Sequence, residues 1–148
     1  MGCLQSVTCA TEALPLFSCW TNETQEVVIA AFLNCRHQVL STKEIFRGGM
    51  DHAFARPREI LAEALRQNAA SLIVAHNHPS NGVEPSEEDV VFTSHLEWAC
   101  DLLNVKLVDH LIVTGEGGYF SFAEARLLRS VRRRSRVHLG SLRRLDCR

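Results

Sequence analysis

His76, His78 and Asp89 are the residues of this chain whose types and spacing suit the binding of a single cation. Side chains two apart on an extended backbone point to the same side, so two imidazoles at the end of a strand reach one ion together. A short apolar run, residues 71–75, delivers the pair, and Pro79 stops the strand directly after it. The turn formers of residues 80–85 follow, and Ser86 with Asp89 three positions later reads as a helix start that brings Asp89 back to the imidazoles. Two histidines and one carboxylate leave a four-coordinate zinc with an open position, the arrangement used to activate water for hydrolysis at neutral pH. The same residues also have a plainer account. Ser86-x-x-Asp89 is a capping box that satisfies backbone N–H groups with no metal, and paired histidines also occur in ordinary polar loops.

The elements that must position these residues follow from the hydrophobic pattern. Residues 27–33 are a β-rich apolar run, residues 34–37 a polar turn, and Val39-Leu40 and Ile45-Phe46 two more short apolar pairs, which together predict a meander of short strands. Gly48-Gly49 closes it and a loop runs to Arg56. Pro57 suits a first helical position, and Ile60, Leu61, Ala64 and Leu65 recur on one face of a helix through Asn68. That helix crosses back to the strand at Leu72, giving a β-α-β unit in which a helix packs on a sheet. A longer helix begins at Ser86 with Val90, Phe92, Leu96, Ala99, Leu102 and Leu103 as its apolar positions and ends near Asn104. Residues 105–113 form a strand covered on both faces. Gly115-Glu-Gly-Gly118 predicts a hairpin turn into residues 119–122; without a following Lys-Ser/Thr and helix it is no phosphate loop.

The pattern His76-x-His78-Pro79-x6-Ser86-x2-Asp89 resembles the JAMM signature of JAB/MPN-domain metallopeptidases, and Asn77 with Pro79-Ser80 resembles the RadC-like bacterial branch in particular. Glu44-Ile-Phe-Arg-Gly48, Pro57-Arg58-Glu59-Ile60, Asn68-Ala-Ala70, Asp109-His110-Leu-Ile-Val113 and Tyr119-Phe-Ser-Phe122 agree, so the resemblance spans residues 26–124. It implies an α/β fold of the cytidine-deaminase-like JAB/MPN type, a mixed sheet flanked by helices, and a zinc metallopeptidase or isopeptidase acting on a peptide or protein. It implies zinc on His76, His78 and Asp89, with Glu44 as the general base and Ser86 as a donor to the oxyanion of a tetrahedral intermediate. Glu44 also reads as a solvated strand-edge glutamate; Glu84, Glu87 and Glu88 have no counterpart in the base role. The family's description as DNA-repair proteins implies an alternative: a nucleic-acid-associated protein whose metal is structural or nucleolytic. A helix-hairpin-helix-like region commonly precedes the catalytic domain in that family, and the residues ahead of Glu26 are expected to be too few to hold one. Base deamination fits poorly, since the His-x-Glu and Pro-Cys-x-x-Cys elements of zinc deaminases are missing.

His110 is not taken as a fourth ligand. That would close the site, and a histidine inside an apolar strand is ordinarily a hydrogen-bonded core residue. His37, His52, His95 and His138 have no ligand spacing to one another.

The whole chain has 148 residues and is 46% hydrophobic, enough for one core. The expected organisation is an irregular or weakly helical segment over 1–25, the metal-binding domain over 26–125 and an arginine-rich tail over 126–148. No apolar run approaches a membrane span and no leader opens the chain, so a soluble cytoplasmic protein is expected. The N-myristoylation-like pattern at Met1 and the sequon at Asn22 are set aside, because a bacterial cytoplasmic domain meets neither modifying enzyme. Six scattered cysteines form no Cys-x-x-Cys pair and predict reduced thiols, with Cys100 packing as a small apolar group.

Residues 1–125 hold seven Lys or Arg against sixteen Asp or Glu, a net of −9, whereas residues 126–148 hold nine Arg against Asp146, a net of +8. An acidic body repels a phosphate backbone, so any nucleic-acid contact must come through the tail. Leu127, Leu128 and Val131 between the arginines permit a short basic amphipathic helix extending from residues 122–124. A tail that stays solvated, or one that folds back on the acidic body, accounts for the same composition.

Overall fold

The computed structural model describes residues 5–48 and 56–128, and in them a five-stranded mixed sheet carries helices on both faces. Strand β1 (Val27–Leu33) is flanked antiparallel by β2 (Val39–Arg47) on one side and β3 (Ser71–Asn77) on the other. β3 pairs parallel with β4 (Lys106–Val113), and β4 pairs antiparallel with the short edge strand β5 (Tyr119–Ser121). The two apolar pairs expected as separate strands are one strand, β2, because bulges at the Val28/Ile29 and Phe32/Leu33 steps absorb the irregular spacing. The crossover through helix α2 (Pro57–Arg66) carries the chain past β1, so β2 and β3 run parallel with β1 between them. Helix α3 (Glu87–Leu102) makes the second crossover, from β3 to β4.

Strand alternation divides the core in two. Val28, Ala30, Phe32, Leu72, Val74 and Leu107 face α2 and α3, where Ile60, Leu61, Ala64, Phe92, Leu96 and Cys100 meet them. Val27, Ile29, Ala31, Leu33, Ile73 and Ala75 face the opposite side. There the covering layer comes from residues 7–17: Val7, Ala10, Ala13 and Phe17 are buried, most of them on a one-turn helix, α1 (Ala10–Ala13), and the 3-10 helix it runs into (Leu14–Trp20). A segment expected to be irregular or weakly helical thus supplies one wall of the core, since a sheet apolar on both faces needs two covers.

The helices use their faces more narrowly than expected. On α2 the buried positions are Ile60, Leu61, Glu63 and Ala64, and Leu65 is exposed. Glu63 stays buried because Lys43 of β2 donates to it at 2.5 Å and Arg66 also pairs with it. On α3 the buried positions are Asp89, Phe92, Thr93, Leu96 and Cys100, while Val90 and Leu102 face solvent. Asn68 and Asn104 follow the two helices with φ of 53° and 54°, a left-handed conformation that asparagine tolerates as a helix stop. Gly117, at φ 82°, makes the β4–β5 hairpin turn.

Buried Asp109 fastens that hairpin: its carboxylate accepts from the backbone N–H groups of His110 and Ala123 and from the Ser121 hydroxyl at 2.5 Å. Arg126, at φ 57°, interrupts the helix expected to continue from residue 122. The rest of the arginine-rich tail, the loop before Arg56, His52, His138, Cys3 and Cys147 lie outside the described residues. Cys9, Cys19 and Cys35 are free and exposed; Cys100 is free and buried, and burial pushes its thiol up to about 12. No helix among the described residues is long and apolar enough to cross a membrane.

Candidate metal centre

β3 is the central strand of the sheet, and at its C-terminal end His76 is the last residue on the α3 face, with His78 one step beyond the strand. Pro79 and the turn behind it reverse the chain, and Asn81 at φ 58° returns an N–H bond to the His78 carbonyl at 2.9 Å. α3 then starts on a capping box: Asp89 N–H donates to Ser86 Oγ at 3.1 Å, and Ser86 N–H donates to Asp89 Oδ2 at 2.8 Å. The plainer account of Ser86 and Asp89 is therefore true, and it is also what aims the carboxylate. One oxygen of Asp89 closes the cap while the group still reaches the histidines.

His76 Nε2 and His78 Nε2 lie 2.9 Å apart, His76 Nε2 and Asp89 Oδ1 3.1 Å, and His78 Nε2 and Asp89 Oδ2 3.5 Å. Two ligands on bonds of about 2.0–2.1 Å at a tetrahedral angle stand about 3.3 Å apart, so these separations bracket the edge of a tetrahedral coordination shell. His76 and Asp89 are buried and His78 is half-buried. His78 Nδ1 lies 2.8 Å from the Gly82 carbonyl, which can only accept, so the Nδ1 proton is committed there and Nε2 of the neutral ring faces Asp89. The residues fit a metal ion in their donor set as well: two imidazole nitrogens and a carboxylate, each turned inward by a hydrogen bond on its outer side.

The electrostatics agree. Burial raises the Asp89 carboxyl, but the two imidazoles and the Ser86 hydroxyl beside it hold it far below the usual carboxylate range. His78 is raised above its ordinary value, first by its hydrogen bond to Asp89, with burial opposing and the charge of Glu26 adding to the rise.

Glu44 does not join this group. It pairs with Ile29, whose side chain enters the cluster under the N-terminal helices, so the β2 register sends Glu44 to the face away from His76. Its carboxylate accepts from the Trp20 indole at 3.1 Å and from Arg47 at 2.9 and 2.7 Å, and Arg47 also pairs with Glu23. The hydrogen bond from Arg47 holds Glu44 below its ordinary value, which makes it a weaker base as well as a distant one. Ser86 is beside the group, but its hydroxyl donates to Asp89 Oδ2 at 2.7 Å.

The carboxylate that the fold does bring near is Glu26. Val28 lies opposite His76 in the antiparallel β1–β3 pair, so Glu26, two residues before Val28, falls on the His76 side of the sheet, and its charge acts on His78. Buried Asn77 fixes this end of β1: its Oδ1 accepts from Val27 N–H at 2.7 Å, and its Nδ2 donates to the Glu23 and Gln25 carbonyls at 3.1 and 3.0 Å. Sequence reasoning missed Glu26, because only the strand pairing selects it among sixteen acidic residues of the body.

His110 takes no place among the ligands. It is a fully buried core histidine with Nε2 2.9 Å from His76 Nδ1 and Nδ1 2.6 Å from Thr93 Oγ1, stacked on Phe122 and edge-on to Phe92. His37 and His95 lie apart from the centre, on the β1–β2 turn and the exposed side of α3.

Comparison with known proteins places this arrangement in a family. The RadC-like JAB domain matches residues 7–127, which takes in the N-terminal helices as well as the 26–124 span. A UPF0758 protein of Actinobacillus pleuropneumoniae serotype 5b (strain L20) is 47% identical over 103 residues, 70% of this chain and 46% of that protein. One from Lactococcus lactis subsp. cremoris (strain MG1363) is 44% identical over 103 residues, 70% of this chain and 45% of that protein. The chain spans less than half the length of these relatives.

Proposed function

The chain belongs to the RadC-like JAB domain family, and on that premise we propose that it is a zinc-dependent hydrolase of metallopeptidase or isopeptidase type, acting on an amide bond of a peptide or protein. The observation that carries this reading is the convergence of His76 Nε2 and His78 Nε2, 2.9 Å apart, on the Asp89 carboxylate, whose Oδ1 lies 3.1 Å from the first and whose Oδ2 lies 3.5 Å from the second. Zinc held there would acidify water and polarise a carbonyl oxygen. Glu26 is assigned to take the proton of the attacking water on its carboxylate and pass it to the leaving nitrogen, the part the family pattern had suggested for Glu44. Asn77 holds the backbone on both sides of Glu26 and so orients that carboxylate. Ser86 is assigned to hold Asp89; serving as an oxyanion donor would take its proton away from that bond.

Zinc analysis and peptide-bond and DNA cleavage assays on the wild type and Glu26→Gln test this reading. The variant is expected to keep one zinc per chain and to lose turnover by about 10²–10⁴-fold, the usual worth of a general base. Undiminished amide hydrolysis would move the base elsewhere, and DNA cleavage without amide hydrolysis would favour the nucleolytic alternative.

The charge distribution supports one further element of that alternative, nucleic-acid contact through residues 126–148 rather than through the acidic body. The 148-residue chain is then expected to bind DNA or RNA at low salt and to release it steeply as salt rises. A chain ending at Leu128, which keeps the core contact that Leu128 makes, should bind neither while holding the same zinc. Equal retention of both on a nucleic-acid column removes the tail from that role.

A further inference from the structure

Behind His76 runs a chain of buried hydrogen bonds whose proton positions are dictated by its far end. Thr93 Oγ1 lies 2.5 Å from the backbone carbonyl of Asp89, one helical turn earlier on α3. A carbonyl only accepts, so the single hydroxyl proton of Thr93 points there. Toward His110 Nδ1, 2.6 Å away, the Thr93 oxygen can therefore only accept, and Nδ1 must carry a proton. A neutral imidazole has one N–H, which leaves His110 Nε2 as a bare lone pair. That lone pair is 2.9 Å from His76 Nδ1, so the His76 proton sits on Nδ1. What remains on His76 is the Nε2 lone pair, and it faces His78 and Asp89.

The neutrality of His110 follows from its surroundings. The ring is wholly buried between Phe122, stacked at 4.8 Å, and the edge of Phe92, and no carboxylate hydrogen-bonds it. β4 delivers His110 opposite Val74 of β3, on the α3 side, and α3 delivers Thr93 one turn after Asp89. The chain of bonds thus ties a strand-end ligand to a helix-start ligand through the interior.

We propose that His110 and Thr93 are positioning residues: a one-directional relay, His76 Nδ1–H to His110, His110 Nδ1–H to Thr93, Thr93 O–H to the Asp89 carbonyl, that locks His76 in the tautomer able to bind a metal through Nε2. The inference rests on reading His76, His78 and Asp89 as metal ligands. Without the Thr93 hydroxyl, nothing obliges His110 to hold its proton on Nδ1. The ring then protonates Nε2 instead, donates to His76 Nδ1, and drives the His76 proton onto the atom that must bind the ion.

Two measurements on the metal-free and zinc-titrated protein test this, using wild type, Thr93→Val, which keeps the shape and removes the hydroxyl, and Thr93→Ser, which restores it. Long-range nitrogen–proton NMR of the histidine rings in the metal-free wild type should find His76 protonated on Nδ1. Zinc affinity measured against a competing chelator should fall by about 10–100-fold in Thr93→Val, the usual consequence of losing an outer partner of a ligand, and return in Thr93→Ser. A wild-type His76 protonated on Nε2 alone overturns the relay whether or not any variant folds. Folded Thr93→Val that binds zinc within about twofold of wild type overturns it too. Wild type that holds the Nδ1 proton but binds no zinc supports the relay and overturns the metal reading, so the two failures are distinct.

Discussion

Replacing Asn77 by leucine should loosen the end of β1 while leaving the three ligand side chains untouched. The Asn77 amide makes three bonds, accepting from Val27 N–H at 2.7 Å and donating to the carbonyls of Glu23 and Gln25, and it is fully buried. Leucine has nearly the same shape and none of these groups. The Val27 N–H is then a buried orphan, which costs about 1–3 kcal/mol, and the two other bonds are lost at about 0.5–1.5 kcal/mol each. Added apolar burial by leucine returns about 1–2 kcal/mol. The net destabilisation centres on about 2.5 kcal/mol, and for a chain of this size that lowers Tm by roughly 5–10 °C. Thermal unfolding followed by circular dichroism reads the shift, and a parallel zinc titration should find the affinity close to that of wild type, because the Asn77 side chain touches neither histidine nor Asp89. Turnover should fall, because residues 23–27 carry Glu26. A Tm within about 2 °C of wild type would mean that the three bonds contribute nothing net, and the claim that Asn77 places Glu26 would go with it.

A His76→Ala, His78→Ala double variant should bind zinc too weakly to hold it through gel filtration yet keep most of its secondary structure, since the five strands pair without the ion; full zinc occupancy would remove these residues as ligands. Glu44→Gln should leave zinc content unchanged and turnover within about threefold of wild type, losing only part of a half-exposed ion pair worth about 0.2–1 kcal/mol; a collapse of activity would restore Glu44 as the base. Zinc affinity should climb as pH rises through the ordinary histidine range and above it, because a proton on His78 competes with the ion and the raised value of that group prolongs the competition. In the metal-free protein the sign reverses: the His78 contribution to stability is complete below the unfolded value and disappears as pH rises through the raised folded one. Chelator titrations and thermal melts across that range check both slopes, and a flat pair would show that His78 gains nothing from Asp89.

The grouping of His76, His78 and Asp89 was legible because every relation in it is local. His76 and His78 share a side through the two-residue period of a strand, and Ser86 and Asp89 meet through the first turn of a helix. Cys100 as a packed thiol and His110 as a hydrogen-bonded core residue were legible from the apolar runs around them. The narrow buried stripe of α3 was not, since Val90 and Leu102 look as apolar as Leu96 and only the sheet decides which of them it covers.

The sequence by itself determined that a strand ends in two inward histidines and that a capped helix returns a carboxylate behind them, because backbone periodicity and capping chemistry act over a few residues. The tertiary structure alone decided which glutamate stands by the metal group. β2 pairs through a bulge that puts Glu44 opposite Ile29, on the far face, whereas the β1–β3 register puts Val28 opposite His76 and so Glu26, two residues earlier, on the near one. A slip of one residue in either pairing would exchange those faces, and no local preference in the chain sets the register. The meeting of His110 with Thr93 is of the same kind: two side chains separated in sequence are brought within 2.6 Å by the packing of α3 on β4.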